Sequence, residues 1–236
     1  MHDDPQDTNR GRSERAIRAR GLVVGLVPVL VMGVLLLGAS GDPSWAMAWI
    51  YLGVHAGATA ILAATIHPDL IEERSARRLG AKAWDRRLVP VLWLLGLVTL
   101  VVAGLDHRYH WTAPFPVPVR VGALSIFLVG HGIVILAGIA NRFFSGVVRI
   151  QEERGHHVIA TGPYARIRHP GYLGLLLCLG SEPLIFNSLW ALVPCGMAVG
   201  LLVVRTSLED RTLRRELHGY QEYCRRVRFR LVPGIW

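Results

Sequence analysis

Three cysteines in 236 residues are too few and too scattered to staple a fold. Cys178 and Cys195 lie in apolar runs and Cys224 in a basic tail, so neither a disulfide framework nor a metal knuckle is indicated, and all three read as plain thiols. Amphipathic spacing is also scarce. The apolar residues, 52% of the chain, are gathered in long blocks, the mark of a polytopic membrane protein. Aromatic and basic residues do not interleave outside the tail, so the net charge of +9 does not argue for nucleic acid. Inverted internal repeats, which would favour a transporter, are absent as well.

What is present is an alternation of apolar blocks and arginine-rich loops. Arg10, Arg12, Arg15, Arg18 and Arg20 lead into a first apolar run, Leu22 to Leu37. A basic leader before an apolar core also describes a signal peptide, with Ala46-Met47-Ala48 as a possible cleavage site, but that site lies well beyond the core and Pro28 interrupts it. Gly41-Asp42-Pro43-Ser44 reads as a tight turn into a second span, Trp45 to Ile66. A charged loop, His67 to Arg87, includes Arg74, Arg77, Arg78, Lys82, Asp85, Arg86 and Arg87. The third span is Leu88 to Leu105 and the fourth Val119 to Ala140, with His131 in its middle. A lone intramembrane histidine is best read as a neutral imidazole bonded to a neighbouring helix.

Beyond the charged stretch Asn141 to Pro170, Gly171 to Leu184 and Leu189 to Val204 flank an Asn187-Ser188 turn. Each limb has about 15 residues, roughly 22 Å against a hydrocarbon core of about 30 Å, so a tilted hairpin is expected with Glu182 near its tip. Lys and Arg number 5, 6, 5 and 8 in one set of loops and 0, 1 and 0 in the other. The positive-inside rule then puts both termini in the cytoplasm. The expected fold is an all-α membrane bundle of about five to six helices. Residues 1–20 form a polar basic tail, 21–140 four membrane helices, and 141–236 a ligand-binding region with the hairpin and an amphipathic tail helix.

The stretch around which the chain is organised is Gly162-Pro163-Tyr164-Ala165-Arg166-Ile167-Arg168-His169-Pro170-Gly171-Tyr172-Leu173-Gly174. Pro170 biases His169 away from the helical region and can open a helix, so the His169 ring belongs just ahead of a helix N-terminus. Such an end attracts a carboxylate. The plain alternative is an interfacial turn with snorkelling arginines. In the tail, Glu209, Asp210, Glu216, Tyr220 and Tyr223 fall on a helix with Leu208, Leu213 and Leu217 as its apolar positions. Arg205 and Glu209 are spaced to meet across one turn. A lipid-binding surface helix is the competing reading of this tail.

Gly162-Pro163-Tyr164 through Arg168-His169-Pro170, with Tyr172, Gly174, Glu209-Asp210, Tyr220, Tyr223, Arg230 and Pro233, resembles the isoprenylcysteine carboxyl methyltransferase family and the broader set that includes phospholipid N-methyltransferases. Weaker likenesses lie at His67-Pro68-Asp69-Leu70, Glu73-Arg74, Lys82-Ala83-Trp84-Asp85 and Asn141-Arg142-Phe143-Phe144-Ser145. The resemblance implies an integral membrane enzyme that uses S-adenosylmethionine. It also implies cofactor contacts at Gly162, Pro163, Tyr164, Arg168, His169, Tyr172, Gly174, Glu209 and Asp210. Relatives often carry two glutamates where this chain has Glu209-Asp210, so Glu209 is the stronger candidate.

The chemistry suits that reading. Tyr164 and Tyr172 offer aromatic walls, Glu209 an acceptor for hydroxyls or an amine, and Arg168 with His169 donors for a carboxylate. Methyl transfer needs alignment and exclusion of water, and no metal. Arg205 and Asn141 are the candidates for positioning a carboxylate acceptor, whereas an amine or thiol needs a base, Glu209 or His169. The acceptor stays open among a prenylcysteine carboxylate, a phospholipid amine, a small thiol and other lipids, and the oligomeric state is not readable. Two other classes compete: an NADPH-dependent sterol-like reductase, which has no matched phosphate-contacting set here, and a non-enzymatic membrane scaffold or transporter whose basic tail binds lipid.

Overall fold

The computed structural model describes residues 5–75 and 80–236, so Arg77 and Arg78 of the expected basic loop lie outside the described residues. Eight helices and no strand occur among those residues. In chain order they are α1 (Pro5–Ser40), α2 (Ala46–Thr65), α3 (Pro68–Ser75), α4 (Ala83–Tyr109), α5 (Val117–Ala140), α6 (Pro170–Ile185), α7 (Leu192–Glu216) and α8 (Tyr220–Arg226). Five of them, α1, α2, α4, α5 and α7, are long and apolar enough to cross a membrane, and α6 is a shorter apolar helix. Large apolar side chains such as Leu30, Val34, Leu94 and Val193 are exposed on outer faces. On a multi-pass membrane protein this is the lipid-facing surface.

Local chemistry sets the helix ends. Gly41 takes a positive φ of 63°, and the Asp42 carboxylate accepts from the Ser44 amide at 2.9 Å and its hydroxyl at 2.6 Å, closing the turn before α2. At the same end of the bundle, buried Asp106 of α4 accepts from the Thr112 amide and hydroxyl and from the Ser188 hydroxyl. The α4–α5 and α6–α7 connections are thereby tied together. The opposite end gathers α3, the loop between α5 and α6, α8 and the C-terminal residues. The grouping of loops matches the charge alternation.

The central core is built from Leu36, Tyr51, Leu100, Phe127, Cys178, Ile185 and their neighbours. Helices α5 and α6 cross closely at Gly130 and Gly174. A Cβ added at Gly174 would lie 2.6 Å from the Gly130 carbonyl oxygen, and one at Gly130 would lie 2.7 Å from that of Gly174. Small residues at both positions let the two backbones touch, the usual device where lipid supplies no hydrophobic drive between helices.

The hairpin differs from the expected pair of equal limbs. Helix α6 has 16 residues, but α7 runs unbroken for 25 and carries Arg205, Glu209 and Asp210 on the same helix as its membrane portion. Hydropathy falls after Val204 while helix propensity does not, since Leu, Glu and Arg are all good helix formers. The expected tail helix is therefore two pieces. Helix α7 ends at Glu216, Gly219 turns with φ 78°, and Tyr220 and Tyr223 belong to α8.

Candidate functional site

The loop between α5 and α6 folds on its own polar groups. The Asn141 side chain accepts from the Phe143 amide at 2.9 Å just past α5, and buried Gln151 donates to the Phe143 carbonyl at 2.9 Å. Arg149 is clamped by Glu73 of α3 at 2.6 and 2.9 Å and by Glu153 at 2.6 Å, and these carboxylates raise its pKa. Gly162, at φ 56°, opens a 3-10 turn that delivers Tyr164 into the protein. Burial raises the Tyr164 pKa; Asn141 opposes that shift and the Glu209 charge adds to it. His169 caps α6 and Pro170 is its first residue, as the sequence predicts.

Asp210 sits at the centre of a dense network. It is fully buried, and its carboxylate accepts from Arg168 Nε at 2.8 Å, the Tyr220 hydroxyl at 3.1 Å and Arg230 Nε at 3.0 Å. Arg214 pairs with it at 3.0 Å, and His169 Nε2 lies 3.3 Å away. Arg168 Nη1 reaches the carbonyls of Val227 and Arg228 at 2.9 and 2.8 Å, and Nη2 returns to Asp210 at 3.4 Å. The main chain adds bonds from Arg168 to Phe229 and from His169 to Arg230, both 2.9 Å. The C-terminal segment is thus laced onto the loop. Tyr223 joins this lacing by donating its hydroxyl to the Tyr164 carbonyl at 2.7 Å. Burial raises the pKa values of Tyr220 and Tyr223, which stay protonated donors.

One residue earlier, Glu209 points elsewhere: its carboxylate accepts from the Tyr172 hydroxyl. The expected turn-spaced pair of Arg205 with Glu209 is replaced by another. Arg205 donates to Asp85 of α4 at 2.7 and 3.2 Å and to the Gly146 carbonyl at 3.1 Å, and its guanidinium lies 5.3 Å from the Tyr172 ring centroid. Its Nη1 has no hydrogen-bond partner among the described residues. Asp85 also accepts from the Val148 amide at 2.8 Å, so one buried carboxylate joins α4, α7 and the loop.

These groups border a cavity of about 650 Å³. Of the residues singled out in the sequence, Asn141, Tyr164, Arg168, His169, Tyr172, Arg205 and Glu209 line it. Gly162, Pro163, Gly174 and Asp210 do not: Gly162 and Pro163 form the turn behind Tyr164, Gly174 serves the α5–α6 crossing, and Asp210 anchors the network. Arg168 reaches the cavity wall, but its donors are turned to Asp210 and the tail carbonyls. Arg74, seen in the sequence as a loop charge and in a weak likeness, also lines the cavity. It lies 5.2 Å from the Phe144 ring centroid and has no carboxylate partner among the described residues. Asp85, seen in the sequence as a loop charge and as part of the weak likeness at Lys82-Ala83-Trp84-Asp85 but given no role there, orients Arg205. Among the described residues no His, Cys, Asp and Glu cluster could hold a metal ion.

Residues 123–215, from α5 nearly to the end of α7, match the model of the isoprenylcysteine carboxyl methyltransferase (ICMT) family. The chain is 32% identical over 107 residues to a probable protein-S-isoprenylcysteine O-methyltransferase of Oryza sativa subsp. indica, covering 44% of this chain and 56% of that protein. It is 28% identical over 90 residues to protein-S-isoprenylcysteine O-methyltransferase B of Arabidopsis thaliana, covering 37% and 46%. It is also 30% identical over 104 residues to Delta(14)-sterol reductase TM7SF2 of Mus musculus, covering 39% of this chain and 23% of that protein. The matches thus span about half the length of the methyltransferases and about a quarter of the reductase. The resemblance read from the Gly162–Gly174 stretch and Glu209-Asp210 is to this methyltransferase family.

Proposed function

We propose that this protein is an integral membrane methyltransferase that moves the methyl group of S-adenosylmethionine to a lipophilic acceptor. The observation that carries the reading is the continuity of one cavity. Its polar end is lined by Tyr164, Tyr172, Glu209 and Asn141, and the same space continues between apolar helices past Leu175 and Leu179. A water-soluble cofactor and a lipid-soluble acceptor can therefore meet in it.

The polar end fits the cofactor by residue type. Aromatic faces of Tyr164 and Tyr172 suit an adenine, and the Glu209 carboxylate, held by the Tyr172 hydroxyl, suits ribose hydroxyls or an amine. Arg74 suits the amino-acid carboxylate better than Arg168, whose donors are already engaged. Arg168, Asp210 and the Gly162-Pro163 turn then act from behind, holding the wall in place. When bound, the cofactor supplies a methyl group on a positively charged sulfur. The protein must align the acceptor with that methyl and keep water out.

For a carboxylate acceptor no proton has to move. Arg205, with Nε and Nη2 fixed by Asp85 and Gly146, offers Nη1 to position it alongside Asn141. For an amine or thiol, His169 serves as base: Nε2 faces Asp210 as donor, which leaves Nδ1 to accept. A carboxylate fixing the tautomer of a working histidine is a recurrent arrangement. The arginine-rich end carrying this site faces the cytoplasm in this reading, with both termini on that side. Residues 141–236 supply most of the cofactor wall and residues 21–140 most of the acceptor route.

Titration of the nanodisc-embedded protein with S-adenosylhomocysteine tests the reading. The wild type is expected to bind and Glu209→Ala to bind roughly tenfold more weakly, in line with the loss of a charged hydrogen-bond partner. Absence of wild-type binding would sink it. The likeness to a sterol reductase supports a second reading on the same scaffold, and binding of NADPH without S-adenosylhomocysteine would select that one.

A further inference from the structure

The far end of the cavity holds a second set of polar side chains, deep among the helices. Tyr51 and His55 come from α2, His131 from α5, and Cys178 and Glu182 from α6, and all five line the cavity. Their hydrogen bonds can be followed donor by donor for neutral rings. His131 Nδ1 faces the Phe127 carbonyl at 3.0 Å, which can only accept, so this nitrogen carries the proton. His131 Nε2 is then an acceptor, and His55 Nδ1, 3.2 Å away, donates to it. That leaves His55 Nε2 as a bare acceptor, and it is buried without a partner among the described residues. Cys178 does not relieve it, because its thiol lies against His131 Nδ1 and the Phe127 carbonyl.

Glu182 repeats the pattern. Its Oε1 accepts from the Tyr51 hydroxyl at 2.9 Å, while Oε2 is buried with no partner, in a residue only 4% exposed. Buried polar groups in proteins are nearly always paired, so two partnerless polar atoms bordering one cavity, the His55 Nε2 acceptor and Glu182 Oε2, call for a hydrogen-bonding group that is not part of the chain. The distance is also defined. Tyr172 and Glu182 lie on the same helix, and at 1.5 Å per residue they are about 15 Å apart along its axis. The wall between the two polar ends is apolar, with Leu92, Leu97, Leu100, Leu175 and Leu179.

We propose that the His55–Glu182 group is a recognition site for a hydrogen-bond donor, a hydroxyl or an amine, carried at the far end of the lipophilic acceptor. The substrate class is then an amphiphile that is polar at both ends and apolar between them. A tail that ends in plain hydrocarbon would bury itself against two unpaired polar atoms and bind less well. This inference rests on the methyltransferase reading for the polar end, and it adds what the acceptor must look like at the other.

The test compares two probes of equal length, a saturated fatty acid and its ω-hydroxy counterpart, with a chain reach close to the spacing of the two ends. Equilibrium dialysis against the full chain in nanodiscs measures both affinities. The ω-hydroxy acid is expected to bind roughly tenfold tighter, the scale of one or two hydrogen bonds made in place of an unmet acceptor. Glu182→Leu, and independently His55→Phe, are expected to bring the ratio close to one. Equal binding of the two probes by the wild type overturns the proposal, as it would if water alone occupied the site, and so does failure of both probes to bind. Titration of the same wild-type preparation with S-adenosylhomocysteine separates the two readings. Cofactor-product binding without probe discrimination ends this inference alone, whereas no cofactor-product binding ends the methyltransferase reading.

Discussion

Asp210 and Glu182 are both buried acidic side chains, one behind the wall of the cavity and one lining it, and their surroundings are opposite. Around Asp210 stand three arginines, a histidine and a tyrosine, and through it the α5–α6 loop, α7, α8 and the C-terminal residues are tied together. Glu182 has one partner, Tyr51, and one oxygen with none. A buried charge with a full set of donors is a strut, because removing it strands its partners in a poorly solvating interior. A buried polar atom left without a partner costs folding free energy, so that end leaves hydrogen-bonding capacity open to a ligand. The cavity therefore joins a rigid, saturated end to an end with spare hydrogen-bonding capacity.

Mutation of the strut should have the largest effect. Asp210→Ala is expected to cost about 3–5 kcal/mol, the usual scale for breaking a buried ion pair, and to free the C-terminal segment from the Arg168–His169 loop. Thermal unfolding in detergent together with limited proteolysis of the last residues would register both. Survival of an intact tail in this variant would erase the contrast between the two ends.

Tyr172→Phe probes the middle of the comparison, where a paired carboxylate also faces the cavity. Loss of the hydroxyl that holds Glu209 is expected to cost about 1 kcal/mol, and to weaken S-adenosylhomocysteine binding about fivefold. Calorimetric titration would measure it, with unfolding temperature as the control. An unchanged affinity would mean that Glu209 needs no orienting.

An effect confined to acid pH comes from His156, whose ring packs 4.5 Å from that of Phe143 and whose pKa is pulled down to about 4 by burial and the neighbouring cations. Its folded pKa lies below the ordinary 6.5, so the unfolded chain binds more protons between those values. The stability this ring contributes is full above about pH 6.5 and is lost as pH falls toward about 4. His156→Gln is expected to flatten that part of the unfolding-temperature profile. A profile identical to the wild type would assign the acid sensitivity to other groups.

The smallest effect belongs to the open end. Replacing both members of the Tyr51–Glu182 bond, as Tyr51→Phe with Glu182→Leu, is expected to leave stability within about 1 kcal/mol or to raise it, since two apolar groups of similar shape replace an incompletely paired set. A large loss in the double variant would make Glu182 a strut after all.

The helical bundle was legible in the sequence because hydropathy and arginine placement are read residue by residue. The second, third and fourth spans are found within a few residues of their expected ends, and Pro170 starts α6 where its missing amide predicts, whereas the first helix runs back from the expected Leu22 through the basic residues to Pro5. The limits of such reading show at Val204, where apolar character stops but the helix does not. They show again at His131. A bond to a neighbouring helix was foreseeable from the cost of a polar group in lipid, but His55 as the partner was not.

By itself, then, the sequence determined what depends on local composition: most of the spans, which loops gather at the same end of the bundle, the turn before α6, and the residue types available around the cavity. Tertiary structure alone decided their uses. Glu209 and Asp210 are adjacent, yet a helix with 3.6 residues per turn sends one toward the cavity and the other into the arginine network. Arg205 takes Asp85, 120 positions away, over the glutamate one turn further along its own helix. Tyr51 meets Glu182 across 131 positions. Hydrogen-bond partners are chosen by which helices pack side by side, and no spacing within one segment encodes that choice.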